Sequence, residues 1–305
     1  MDGTVHQAAG RRSRQTLPPD QIDIERAILA SILDGARLNG PAPSSLDAAH
    51  EAAVYHLSTG GERTRGRLAL LAGAALGLDR GTVLALAAAA ELLHNASLIH
   101  DDVQDRSSQR RGRPSVWVLY GTGVALCAGD LLISCAYRAL CRDVPPMLLP
   151  TLIDLCHLAV AEAIRGQCGD LTEGQSHCSI AVYREIAGAK SGALLALPLQ
   201  LAIAAAELPA RQVALAHEIG LLLATAYQIV DDLEDCASDS GEDGSAGSLN
   251  VVRVFQAGGH GVAAGQMARK LARECLEQAA QLTLQMPAAL QVSVSSISGR
   301  LAGKL

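Results

Sequence analysis

The chain has 305 residues, 49% apolar, only 2% aromatic and 18% charged, with a formal net charge of −6. That balance supplies a large core and argues against a β-sandwich or barrel, which draws on aromatic and β-branched residues. It offers no basic stripe for nucleic acid. Ala and Leu, strong helix formers, dominate instead, so the expected class is all-α, a single large helical bundle.

Residues 1–19 are basic but lack the apolar core of a secretory signal, and are expected to form a flexible tail. Residues 20–305 are expected to form one helical domain, since no linker or short repeat divides them. "QIDIERAILASILDG" carries apolar residues at helical spacing and stops at Gly35, and "SLDAAHEAAVYHLSTGG" repeats the pattern to Gly60 and Gly61. "RGRLALLAGAALG" and "GTVLALAAAAELLHNASLIHDDVQD" are apolar on nearly every face, which places them at the centre of the bundle. "DVPPMLLPTLIDLCHLAVAEAIRGQCGDL" reads as a helix with prolines in its first turn. Three further helical stretches follow, "SIAVYREIAG", "SGALLALPLQLAIAAAE" and "RQVALAHEIGLLLATAYQIVDDLED". "CASDSGEDGSAGSLN" is a Gly, Ser and Asp-rich loop, and two terminal helices close the chain. No apolar run is expected to span a bilayer, because the longest is interrupted by Pro198 and Gln200. The eight cysteines have no zinc-like spacing and read as buried thiols in a reducing cytosol.

Two helical stretches end alike. Asp101, Asp102 and Asp105 follow one apolar run, and Asp231, Asp232 and Asp235 follow another; both read Asp-Asp-x-x-Asp. Positions i and i+4 share a helix face, so Asp101 projects with Asp105 and Asp231 with Asp235. One such motif would pass for a solvated helix end. Two, each at the end of a very apolar helix, gather carboxylates that repel one another and are costly to desolvate. A divalent cation removes both difficulties, and an all-oxygen ligand set suits Mg²⁺. Mg²⁺ held by few carboxylates completes its shell with water and phosphate oxygens, which implies a diphosphate ligand.

With these motifs the sequence resembles the trans-isoprenyl diphosphate synthases of the polyprenyl synthetase family, over roughly residues 20 to 305. "DDVQDRSSQRRGRP" matches the first Asp-rich motif with its arginine pair and Gly-x-Pro, and "AYQIVDDLED" matches the second. "GTGVALCAGDLL", "RGQCGDL" and "AKSGALL" match further segments in order. The resemblance implies helices around a deep central cavity, a homodimer, a cytoplasmic enzyme and Mg²⁺ as cofactor. Its substrates would be an allylic diphosphate and isopentenyl diphosphate.

By the same resemblance Asp101, Asp105, Asp231 and Asp235 would hold Mg²⁺, with Asp102 and Asp232 in support. Arg110, Lys190, Ser191 and Gln228 would meet the allylic diphosphate. Arg65, His94 and Arg111 would hold isopentenyl diphosphate. Lys190 is one of only three lysines, with Lys270 and Lys304. His94 alone would read as a satisfied core histidine; its place seven residues before Asp101 raises it. Gln228 lies one turn before Asp232 and could equally bond a neighbouring helix. His100 reads as structural, and Gln167 and Asp170 as shaping the site from the facing helix.

The chain departs from the family pattern twice. "GGERTRG" places Glu62 where the pattern has lysine, and Gly66 where it has proline. An acid at 4 Å from a diphosphate charge is unfavourable by about 4 kcal/mol at an effective dielectric near 20, unless Glu62 turns away or pairs with Arg63. The loop after Asp235 also lacks the expected lysine. Below the Asp101 face, Ala96 and Ser97 leave room for a growing chain, with Tyr137 as candidate floor, so a product of twenty carbons or more is expected. A class I terpene cyclase on the same scaffold is the rival reading: it would tolerate Glu62 but needs aromatic walls. A noncatalytic partner subunit would be expected to have decayed Asp motifs.

Overall fold

The computed structural model describes residues 21–33, 47–173, 178–238 and 249–305. The expected tail and most of the Gly/Ser/Asp-rich loop lie outside them. Thirteen α-helices are described: α1 Gln21–Leu33, α2 Ala48–Ser58, α3 Thr64–Ala75, α4 Arg80–Gln104, α5 Val116–Tyr120, α6 Thr122–Asp143, α7 Leu149–Thr172, α8 Ile180–Ala187, α9 Ala193–Ala205, α10 Ala210–Ser238, α11 Val251–Phe255, α12 Ala264–Thr283 and α13 Ala288–Ala302.

Local chemistry sets several starts. The side chain of Asp47 caps α2 by accepting the His50 N–H at 3.0 Å, and Asp79 caps α4 by accepting that of Thr82 at 3.0 Å. Pro150 stands in the first turn of α7, where a missing N–H costs nothing. On α1 the i, i+4 set Ile24, Ile28 and Ile32 is fully buried. Residues 85 to 90 of α4 are buried on every side, as the absence of a polar face requires. Around α4 pack α1, α3, α6 and α9, and α10 joins α9 to α12.

The fold is all-α as expected, with one small addition among the described residues: an antiparallel hairpin, Gln109–Arg110 with Arg113–Pro114. Its turn residues Arg111 (φ 54°) and Gly112 (φ 72°) are both left-handed, which suits a tight hairpin. Of the cysteines, Cys127, Cys141 and Cys168 are exposed rather than buried. Four stretches, Arg80–Gln104, Thr122–Asp143, Ile180–Ala205 and Ala210–Cys236, are long and apolar enough by length and composition to cross a bilayer. In the third, Pro198 and Gln200 read as breaks in the sequence, whereas α9 runs through both. The first and third are mostly buried within the bundle, 78% and 83% of their apolar windows, and the other two about half, 44% and 50%.

Candidate active site

A cavity of about 370 Å³ lies between the ends of α4 and α10. Asp105, at the end of α4, lines one wall, and Asp231 and Asp235 line the opposite wall on α10. Arg110, Asp170, Tyr183, Lys190, Gln228 and Glu234 complete its polar lining. A second, mostly apolar cavity of about 100 Å³ adjoins it, with Lys190 common to both. Leu93, Ala96, Ser97 and Asp101 of α4 line it, against Ile133 of α6, Val160 and Ile164 of α7 and Leu194 of α9. The two acidic motifs thus converge on one site, with Asp101 at the apolar side of Lys190 and Asp105, Asp231 and Asp235 at the polar side.

Within each trio the middle aspartate is turned away and satisfied. Asp102 is 1% exposed and accepts Arg110 Nη2 at 2.6 Å and Nε at 3.0 Å. Asp232 is 2% exposed and accepts the Tyr183 hydroxyl at 2.8 Å, Gln228 Nε2 at 3.0 Å and the Val251 N–H at 2.7 Å. Arg110 and Gln228 therefore line the cavity while already bonded to carboxylates. Tyr183, Asn250 and Val251 were not singled out in the sequence, although a tyrosine on the apolar face of "SIAVYREIAG" was a signal available there.

Burial is the main force on the carboxylates. It pushes Asp101 up to about 6, against the pull of Lys190, and Asp231 up to about 7, against that of Lys304. Burial also raises Asp102, Asp105 and Asp232, with hydrogen bonds or nearby cations working the other way.

Lys190 sits in a π-helical turn, Gly188–Gly192, between α8 and α9, and donates to Asp170 at 2.5 Å. Burial alone would lower the Lys190 ammonium, but Asp170, then Asp101 and Asp105, hold it above its usual value. Gly166 of α7 makes this placement possible: a Cβ there would lie 2.1 Å from the Lys190 backbone nitrogen. Asp170 also accepts the Leu249 N–H at 3.1 Å. Gln167 donates to Gln104 at 2.9 Å at the edge of the apolar cavity. Ser191 lies in the π-helical turn but lines neither cavity, and Tyr137 is likewise not among the lining residues; Ile133, one turn nearer the site, takes that place on α6. His100, read as structural, does line the apolar cavity.

The cations assigned to the second substrate gather around the start of α3. Arg65 donates Nε–H to the Leu194 carbonyl at 3.2 Å. Burial lowers its guanidinium to about 10, against the pull of Glu91, so it stays charged at neutral pH. Arg111 reaches the Gly60 carbonyl and packs against Gly61, whose missing Cβ would lie 2.7 Å from the guanidinium carbon. Burial, then Arg65 and Arg111, hold His94 well below the usual range, so it is neutral. Glu62 pairs with Arg300 of α13 at 3.0 Å and not with Arg63. Arg63 is buried and spent on Glu25 at 2.6 Å and the Leu57 carbonyl at 2.8 Å. Gly66, in the proline position, uses the N–H a proline would lack to donate to buried Glu91 at 2.9 Å.

The donor set fits a divalent cation. The facing carboxylates are all-oxygen ligands that burial leaves short of positive charge. Among the described residues no three His, Cys, Asp or Glu side chains cluster closely enough to hold an ion alone. A bound ion would take ligands from both walls and from an anion between them, as Mg²⁺ does.

This bundle is the all-α isoprenoid synthase scaffold. Residues 47–248 match the polyprenyl synthetase family, and the chain belongs to it. It is 32% identical to the short chain isoprenyl diphosphate synthase of Methanothermobacter thermautotrophicus, over 67% of this chain and 65% of that protein. It is 35% identical to a geranylgeranyl diphosphate synthase of Mycobacterium tuberculosis, over 63% of this chain and 55% of that protein. The matched stretch thus spans somewhat over half the length of these relatives. The fold is shared with polyprenyl synthase of Caulobacter crescentus, solved with calcium and isoprenyl diphosphate: TM-score 0.72 over 92% of this chain and 93% of that one, at 21% identity.

Proposed function

We propose that the protein is a Mg²⁺-dependent prenyltransferase. It joins an allylic diphosphate to isopentenyl diphosphate and yields a trans-polyprenyl diphosphate of twenty carbons or more. The observation that carries this reading is the pair of acidic helix ends across one cavity, with Lys190 between that cavity and an apolar one. The relatives named as prenyl diphosphate synthases support it.

Asp105, Asp231 and Asp235, with Asp101 beside them, would hold the metal; when bound, Mg²⁺ would offset negative charge on the departing diphosphate. Lys190 and Arg110 add fixed positive charge on the same side. The allylic C–O bond breaks with its electron pair leaving on the diphosphate. The double bond of isopentenyl diphosphate then supplies the electrons of the new C–C bond, and a proton is lost to the released diphosphate. Leu93, Ile133, Val160 and Leu194 keep water from the carbocation and receive the chain. No protein nucleophile is required. We assign the enzyme to the cytoplasm and to a homodimeric state. Chain length rests on the lining of the apolar cavity, which includes no Phe, Tyr or Trp among the described residues.

A terpene cyclase is favoured by one observation, the acid at Glu62, and disfavoured by the lack of Phe, Tyr or Trp in that lining. Incubation with Mg²⁺, isopentenyl diphosphate and dimethylallyl, geranyl or farnesyl diphosphate in turn separates the two. Diphosphates longer than farnesyl are expected. A volatile hydrocarbon or alcohol would assign a cyclase, and nothing beyond farnesyl diphosphate would overturn the chain length.

A further inference from the structure

We infer that Glu91 is a positioning residue for isopentenyl diphosphate: from α4 it caps the start of α3 and so fixes Arg65, the residue before the capped N–H. The inference rests on the prenyl-transfer reading above. Residues 85–90 of α4 are buried and apolar, and the next residue, Glu91, is only 2% exposed. A carboxylate so deep is costly unless hydrogen bonds hold it. Glu91 Oε1 accepts the Gly66 N–H at 2.9 Å, and Oε2 accepts Asn95 Nδ2 at 3.3 Å. Asn95 Nδ2 also donates to the Glu91 carbonyl at 2.8 Å, so its Oδ1 is the acceptor for His56 Nε2 at 3.1 Å. Burial, then Arg111 and Arg110, lowers His56 to about 3, so the imidazole donates as a neutral ring. His56, Asn95 and Glu91 thus form a buried chain from α2 through α4 to the start of α3.

The start of α3 lacks a cap of its own. Helices commonly begin at Ser, Thr, Asp or Asn, whose side chain accepts the N–H of the second or third helical residue. Here that place is taken by Arg63, left-handed at φ 48° and ψ 40° and without a side-chain cap bond. Gly66 is the third residue of α3, so Glu91 accepts from across the bundle the N–H that a local cap would have taken. The fit is close: a Cβ on Gly66 would lie 3.0 Å from Glu91 Cγ and 3.2 Å from Ile24 Cγ2. Arg65 is thereby held at both ends, by the capped backbone beside it and by the Leu194 carbonyl at Nε. The Leu194 contact uses Nε–H, which leaves the Nη groups of the guanidinium fork for phosphate oxygens. Burial works against the charges of Arg65 and Arg111, and Glu91 favours both. A carboxylate repels a diphosphate, and both Glu91 oxygens already accept hydrogen bonds, so Glu91 acts through Arg65 and not on the ligand.

The test is a double-mutant cycle on the full chain: wild type, Glu91→Leu, Arg65→Ala and the double variant, with Glu91→Gln as the conservative change. The readouts are KM for each substrate, kcat, the thermal midpoint, and calorimetric binding of isopentenyl diphosphate without allylic substrate. Glu91→Leu should raise KM and Kd for isopentenyl diphosphate about tenfold, equivalent to roughly 1.4 kcal/mol. KM for the allylic substrate should stay near wild type. Glu91→Gln keeps an acceptor for the Gly66 N–H and should recover most of that loss. In the Arg65→Ala background, Glu91→Leu should add nothing further, because the two residues act as one unit. If Glu91→Leu does not fold, Glu91→Gln takes its place in the cycle, with a rise of about threefold expected for isopentenyl diphosphate alone. Unchanged isopentenyl diphosphate binding, an equal rise in KM for both substrates, or additive losses in the cycle would overturn the assignment and leave the prenyl-transfer reading standing. A wild type that binds no isopentenyl diphosphate would overturn that reading, and this assignment with it.

Discussion

The Nε–H of Arg65 donates to the carbonyl of Leu194 at 3.2 Å, and that carbonyl lies four residues before Pro198. In an ordinary helix the N–H at position 198 would take it. Proline has no N–H, so the interruption in α9 becomes an acceptor for a side chain from α3. A residue that looks in the sequence like a helix breaker is thus what anchors a candidate substrate arginine.

Pro198→Ala returns the N–H to α9 and competes for that carbonyl. A proline inside a helix costs about 3 kcal/mol, so the variant should unfold at a temperature no lower than wild type. Steady-state kinetics should nevertheless show KM for isopentenyl diphosphate raised, because Arg65 loses its anchor. Unchanged KM would mean that Arg65 is positioned by other contacts.

The middle and outer aspartates should separate stability from turnover. Asp102→Asn and Asp232→Asn disturb buried, charge-assisted hydrogen bonds worth about 1–3 kcal/mol, so calorimetry should show a lower midpoint. Asp105→Asn and Asp235→Asn face the cavity and should leave the midpoint unchanged while cutting turnover by on the order of a hundredfold. Loss of activity without loss of stability at Asp102 would reverse the assignment.

Metal-free stability should depend on pH through Asp231. Its carboxyl is raised from 3.8 to about 7, burial being the largest cause, so the folded state favours the protonated form. Its stabilising effect is complete below the unfolded value and is lost as pH rises through about 7. Asp231→Asn cannot ionise, so it should unfold at a higher temperature than wild type at pH 8 without Mg²⁺, and the gap should close towards pH 5. His94 and His56, both held low chiefly by burial, act in the opposite direction but equally in both proteins. A gap independent of pH would remove Asp231 as its source.

The apolar cavity makes a product-length prediction. Ser97 lines it from α4, and Ser97→Phe would fill space opposite Ile133 and Val160. Product chromatography should show shorter chains with turnover retained, whereas Ile133→Ala should lengthen them. Identical product distributions in all three proteins would place the growing chain elsewhere.

Much of this molecule was legible in the chain because its signals are local. Helical periodicity, the caps at Asp47 and Asp79, and the i, i+4 spacing of each aspartate pair depend on residues within a turn or two. The convergence of Asp105 with Asp231 and Asp235 depends on how α4 and α10 pack, and resemblance alone could anticipate it. In the second trio, distant partners decided which aspartate turns away from the cavity. Tyr183 and Val251, 49 and 19 residues from Asp232, satisfy its carboxylate and turn it inward. Glu62 shows the same limit most sharply: its neighbour Arg63 was the plausible partner in sequence, but Arg300, 238 residues away, holds it. Local patterns specify helices because a helix closes its hydrogen bonds within itself. Side-chain charges find partners across the bundle, and only the packed tertiary structure decides which.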